Sequence, residues 1–191
     1  MTPIPFEPRE CRLTAEDLLA PGNPYERCDL WDGVAVVREP SGGWHDCVAA
    51  AIIARLHAAV RGTRKGWVVA SSAGFLVARD PDRVLSPDAA FVSRARLLAF
   101  PTRGFVECAP DLAVEVRSPD DSWIGVVERA GVWIAHGVAV VWAVDPPSRT
   151  AATFRPRQAP IAAGPGDTLC GAPVLPDLCV PVDELFEGLA D

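Results

Sequence analysis

Lysine is almost missing from this chain: Lys65 is the only one in 191 residues, so nearly all positive charge is carried by arginine. The formal net charge is -7. Together these exclude a lysine-rich face that grips nucleic acid without regard to sequence, because such binding rests on neutralising many phosphates at once. No apolar run approaches the roughly 20 residues that cross a bilayer, and the opening MTPIPFEPRE has neither the basic flank nor the apolar core of a secretion signal. A cytoplasmic location and no membrane partner are therefore expected. The six cysteines, Cys11, Cys28, Cys47, Cys108, Cys170 and Cys179, include no CxxC pair. That spacing excludes a zinc ribbon and a secreted disulfide framework, so the cysteines read as reduced, small core residues.

The length suits a single domain with a sizeable core, over residues 13–191, after a proline-rich lead-in at 1–12. The most informative stretch runs from Pro110 to Asp145. Leu112 to Val116 is an apolar, β-branched strand interrupted only by Glu115, and a carboxylate there bears a desolvation cost unless a cation lies against it. Alternation places Ala113, Glu115 and Arg117 on one face. Ser118-Pro119 ends the strand, and Asp120, Asp121 and Ser122 offer N-cap oxygens to a helix whose stripe is Trp123, Val127, Ala130 and Ile134. Arg129 flanks that stripe, with reach back toward the strand ends. His136-Gly137 closes the helix, and Val138 to Val144 is the next buried strand. Asp88 opens a further apolar strand, Ala89 to Val92. Two carboxylates at strand positions with arginine nearby suggest a hard-cation site facing phosphate.

Elsewhere, Thr14 with Asp17 forms a weak capping box for a short helix, and Asp32-Gly33 predicts a tight hairpin between Arg27–Trp31 and Val34–Arg38. A long helix is expected from about Trp44 to Arg61, with Val48, Ala51, Ile52, Leu56 and Ala59 inward. Strands follow at Trp67–Ala70 and Gly74–Ala78, then one or two helical turns over Ser93–Phe100. Thr150–Arg155 is expected to pair back on the Val138–Val144 strand. Residues Pro156 to Pro181, rich in proline and glycine, predict only short irregular pieces before a last helical turn at Val182–Phe186.

The blocks ERCDLWDG, the His45 that opens the long helix, LSPDAAFV, APDLAVEVRSP, AHGV, VVWAVDP and VLPDLCVPVDELF, in that order, resemble the Uma-type family of putative restriction endonucleases, a branch of the PD-(D/E)XK nuclease superfamily. The resemblance covers Leu13 to Phe186. It implies a restriction-endonuclease-like mixed central β-sheet flanked by helices. It also implies a magnesium ion, replaceable by manganese, on Asp88, Glu115 and the carbonyl of Val116, and DNA, duplex by expectation, as substrate. Asp29 matches the family's acid in the first block, where glutamate is usual. The family's lysine falls at Arg129 and its tyrosine at Trp133. Arg117 occupies the simpler ExK position and is a second candidate to face phosphate. His45 and Asp29 are the expected substrate-side residues.

Plainer readings stand beside these. Glu115 with Arg129 or Arg117 could be a buried ion pair, Asp29 a cross-strand pair, Arg129 a stack on Trp133, and His45 a helix cap. A nuclease fold that has lost catalysis and serves as a binding module is the alternative function. A hydrolase using paired carboxylates on another substrate is a third. Exposed sheet edges lead to an expected homo-oligomer, a dimer first.

Overall fold

The computed structural model describes residues 12–25, 28–38 and 40–189; apart from Arg12, the expected lead-in lies outside them. The central sheet has six strands in the order β10 (Ile161–Ala163), β9 (Thr150–Phe154), β8 (Val140–Asp145), β7 (Leu112–Val116), β6 (Ala89–Ser93) and β3 (Gly66–Ala70). Only β7 and β8 run parallel, so the sheet is mixed. A parallel pair needs a crossover, and α3 (Trp123–Ala135) supplies it, capped by the Ser122 hydroxyl accepting from the Gly125 N–H.

Because β7 is central, all five of its residues are buried, and alternation divides them between two cores. Leu112, Val114 and Val116 pack with Val48, Ile52 and Leu56 of α2 (Gly43–Val60). Ala113 packs with Val126, Ala130 and Trp133 of α3 on the other face. The inward line of α3 is thus Val126, Ala130 and Trp133, which shares Ala130 with the expected stripe but takes Val126 and Trp133 in place of Val127 and Ile134; Trp123, Val127 and Ile134 lie at its margin. A stripe this apolar all round leaves periodicity a choice of faces. The partner sheet and the tryptophan N–H decide it.

A second, antiparallel sheet has the order β2 (Val34–Val37), β1 (Cys28–Trp31), β5 (Arg83–Leu85) and β4 (Phe75–Ala78). Its first hairpin turns through Asp32 and Gly33, both with positive φ, as Asp-Gly predicts for a two-residue loop. The short helix α1 (Ala15–Leu19) begins at the expected Thr14–Asp17 capping box. The three-residue β5 was not anticipated, since so short a segment carries no readable alternation. No described helix is long and apolar enough to cross a membrane.

Three further expectations are corrected. Residues 94–100 form turns rather than a helix, although the Leu97 N–H does reach the Ser93 carbonyl. The Pro/Gly-rich segment after 156 holds β10 and an antiparallel ribbon, β11 (Thr168–Gly171) with β12 (Leu175–Pro181). Leu169, Leu175, Leu178 and Val180 seat that ribbon in the same core as α2. Its paired positions Cys170 and Cys179 form a disulfide, against the expectation of reduced core cysteines. The chain ends its described part in a 3-10 turn, Val182–Leu185.

Candidate active site

The β6–β7 ladder ends at Ala89 opposite Val114, which leaves Asp88 just ahead of β6 and Glu115 one residue further along β7. The Asp88 N–H leaves the ladder register and donates to the Val114 carbonyl at 2.9 Å, which keeps Asp88 beside that end of β7. Both carboxylates are buried, with residue exposures of 3% and 4%. Burial of this kind demands partners, and each acid has its own set.

Glu115 is held from α3. Arg129 donates from Nε to Oε2 at 2.8 Å, and the Trp133 indole N–H donates to Oε1 at 2.6 Å. Arg129 also donates from Nη1 to Asp29 Oδ2 at 3.0 Å, so one guanidinium joins two acids that lie on different sheets. The Ser86 N–H donates to the other Asp29 oxygen at 3.0 Å. Burial pushes the Glu115 carboxyl above its usual range; Arg129 opposes this, and the nearby Asp88 carboxylate adds to it. Burial disfavours the Arg129 charge, but Glu115 and Asp29 outweigh burial and hold its pKa above the ordinary value.

The Trp133 bond gives a direct test. Trp133→Phe keeps a ring against Phe75, which meets the indole edge-on at 6.2 Å between centroids, but removes the donor to a buried carboxylate. A loss of about 1–3 kcal/mol in urea unfolding is expected. An unchanged urea midpoint would show that the bond adds nothing to stability.

Asp88 is held from α2 and from the end of β2. His45, in the first turn of α2, approaches Oδ2 with Nε2 at 3.2 Å, while its Nδ1 lies 3.0 Å from Asp46. Arg38 reaches Oδ1 at 3.2 Å and also donates to the Ser71 carbonyl at 3.0 Å. The Val116 N–H donates to Asp88 Oδ2 at 2.7 Å. Since the N–H and carbonyl of a strand residue point the same way, the Val116 carbonyl faces the Asp88 side as well.

The structure therefore brings together Asp29, His45, Asp88, Glu115, Val116 and Arg129. Arg117 is not among the contacts of Glu115. The parallel register that pairs Val116 with Val144 carries Arg117 alongside Asp145, where the two form an ion pair, and Arg117 Nη1 donates to the Asp121 carbonyl at 3.2 Å. Sequence reasoning missed Arg38, for which no local pattern exists: it meets Asp88 across 50 residues of chain. It also missed the Asp145 that claims Arg117, and the Trp133 N–H as a partner of Glu115.

Arg38, His45, Asp88, Glu115, Val116 and Arg129 form the floor of a cleft of about 660 Å³ whose walls include Tyr25, Val36, Val37, Ser71, Ser118 and Phe105, while Asp29 lies behind Arg129 and does not line it. Among the described residues no three Asp, Glu, His or Cys side chains gather as a complete ion cage. Two facing carboxylates and one strand carbonyl do fit a small hard cation that takes its remaining oxygens from water and substrate phosphate. Burial is the main reason the Glu115 carboxyl is raised, and the nearby Asp88 carboxylate adds to it; a bound cation would favour the ionised form.

A mixed sheet with α2 on one face, α3 on the other and paired acids at the β6–β7 end defines a nuclease-like α/β fold. The same fold occurs in a crystal structure described as a putative nuclease belonging to DUF820 from Anabaena variabilis, with a TM-score of 0.72 at 20% identity over 83% of this chain and 89% of that one. The Uma2 family, described as putative restriction endonuclease, matches residues 15–183, and the chain belongs to that family. No curated protein matches it significantly.

Proposed function

We propose that the chain is a metal-dependent endonuclease that hydrolyses DNA phosphodiester bonds, with magnesium as its ion and manganese as a substitute. The observation that carries the reading is the pair Asp88 and Glu115, both buried and close to one another on the floor of an open cleft. These two carboxylates and the Val116 carbonyl would hold the ion. Bound there, it supplies polarisation of a phosphoryl oxygen and a more acidic water.

The chain's own residues do the rest. His45 and Arg38 fix the two oxygens of Asp88, and Trp133 and Arg129 fix those of Glu115, so the acids are oriented before substrate arrives. Arg129 is too basic to take a proton, which confines it to electrostatics: it offsets charge on the phosphate while Asp29 holds its far end. Asp29 and His45 then act on the substrate through Arg129 and Asp88. Arg117, engaged by Asp145, does not line the cleft and is assigned no role on the phosphate.

One observation favours the alternative of a nuclease fold that binds without cutting: both Glu115 oxygens already accept hydrogen bonds from the protein. A nicking assay on supercoiled plasmid separates the two. Homogeneous protein is expected to nick with magnesium or manganese and to stop with EDTA. DNA binding indifferent to EDTA, with no nicking under either ion, would establish the binding module instead.

A further inference from the structure

We infer that the cleft takes unpaired DNA, a single strand or a frayed end, in preference to duplex. The inference rests on the nuclease reading of the same site and names its substrate form. Charge is the first reason. The cationic side chains lining the cleft, among the described residues, are Arg38 and Arg129 together with His45, and they stand against the buried acids Asp88 and Glu115 in the floor. With exposed Asp120 and Asp121 at the edge, the acids lining the cleft outnumber these cationic groups. A duplex needs a run of Lys and Arg along its backbone, and the chain as a whole carries a net charge of -7.

Shape is the second reason. Asp88 and Glu115 are recessed, at 3% and 4% exposure, and the cleft of about 660 Å³ is of the size that encloses a small ligand. A phosphate in duplex is fixed on the outside of a stiff rod and cannot be bent inward without breaking stacked pairs. An unpaired strand can turn one phosphate into the recess at little cost.

The walls supply the third reason. Tyr25, the only tyrosine in the chain, and Phe105 line the cleft half-buried, and Val36 and Val37 are exposed along it at 45% and 65%. Paired bases hide their faces from such a surface. Unpaired bases stack on rings and lie against apolar walls, which is how strands are held where few cations are available.

The test compares a fluorescein-labelled 15-nucleotide strand with its blunt duplex, by initial cleavage rate in magnesium and by anisotropy in calcium. We expect the single strand to be cut and bound at least about tenfold better. Tyr25→Ala should weaken strand binding about tenfold without moving the thermal midpoint, while Tyr25→Phe should keep it. Duplex cut as fast as the strand would overturn this inference and leave the nuclease reading intact. Cleavage of neither form would remove the nuclease reading, and anisotropy would then decide: tighter strand binding supports the inference, whereas duplex preference or no binding of either form ends it.

Discussion

Glu115→Gln is expected to abolish metal-stimulated nicking, by about 100-fold or more, while the protein stays folded. The loss is on the scale of removing one preorganised charged group from a desolvated site. Retention of the fold follows from the same burial. Glutamine is nearly isosteric and can still accept from the Trp133 indole N–H, so the bond made now at 2.6 Å has a partner. The carboxyl of Glu115 is raised in the folded protein above the usual carboxylate range, with burial as the first cause. A group whose folded pKa is raised contributes stability that is present below the unfolded pKa and lost as pH rises through the folded one. At neutral pH the ionised form therefore gains little stability from its own titration. A glutamine that keeps the Trp133 bond, however, turns its NH2 toward Arg129 Nε, so a moderate loss of stability accompanies the loss of nicking. Wild-type nicking rates in a homogeneous Glu115→Gln preparation would remove Glu115 from the mechanism.

Arg129→Met should be the most destabilising single change at the site. It would leave Asp29 and Glu115, at 1% and 4% exposure, without the guanidinium that joins them. Stranding buried acids costs about 3–5 kcal/mol, and the lower end applies because the Arg129 side chain is itself 27% exposed. For a chain of this length about 3 kcal/mol corresponds to a melting midpoint lower by roughly 6–12 °C. Arg129→Lys keeps the charge but lacks the planar fork that reaches two carboxylates at once, so an intermediate loss is expected. The lysine variant also carries functional information, because lysine is what the family resemblance places there. Nicking by both wild type and Arg129→Lys would show that a cation of either shape suffices. Nicking by the lysine variant alone would show a sound scaffold disabled by its native arginine. A melting midpoint unchanged in Arg129→Met would mean that the three-residue network adds no stability.

Much of the fold was legible in sequence where the pattern is local. The run β7–α3–β8 could be read because alternation, an N-cap serine and a terminal His-Gly follow one another within a single stretch. Asp32-Gly33 announced its hairpin for the same reason. Glu115 stood out as an acid in a buried strand, and Asp88 as an acid at the head of another. The misreadings share a cause. The ribbon β11–β12 gains its stability from the core under α2 rather than from its own composition, so proline and glycine content hid it. Cys170 and Cys179 are adjacent only because the ribbon's register makes them so.

The sequence by itself determined the β7–α3–β8 run and marked Glu115 and Asp88 as acids set in apolar strands, since both follow from apolar periodicity and from the cost of placing charge in it. The mixed sheet as a whole was what the family resemblance implied. Tertiary structure alone decided how those acids are compensated. The meeting of β6 and β7 set Asp88 near Glu115, the parallel register of β7 and β8 drew Arg117 to Asp145, and the docking of the second sheet brought Arg38 and Asp29 to the site. Such pairings depend on which strand lies beside which. Residues 50 or 100 positions apart carry no sign of one another until the sheets are built.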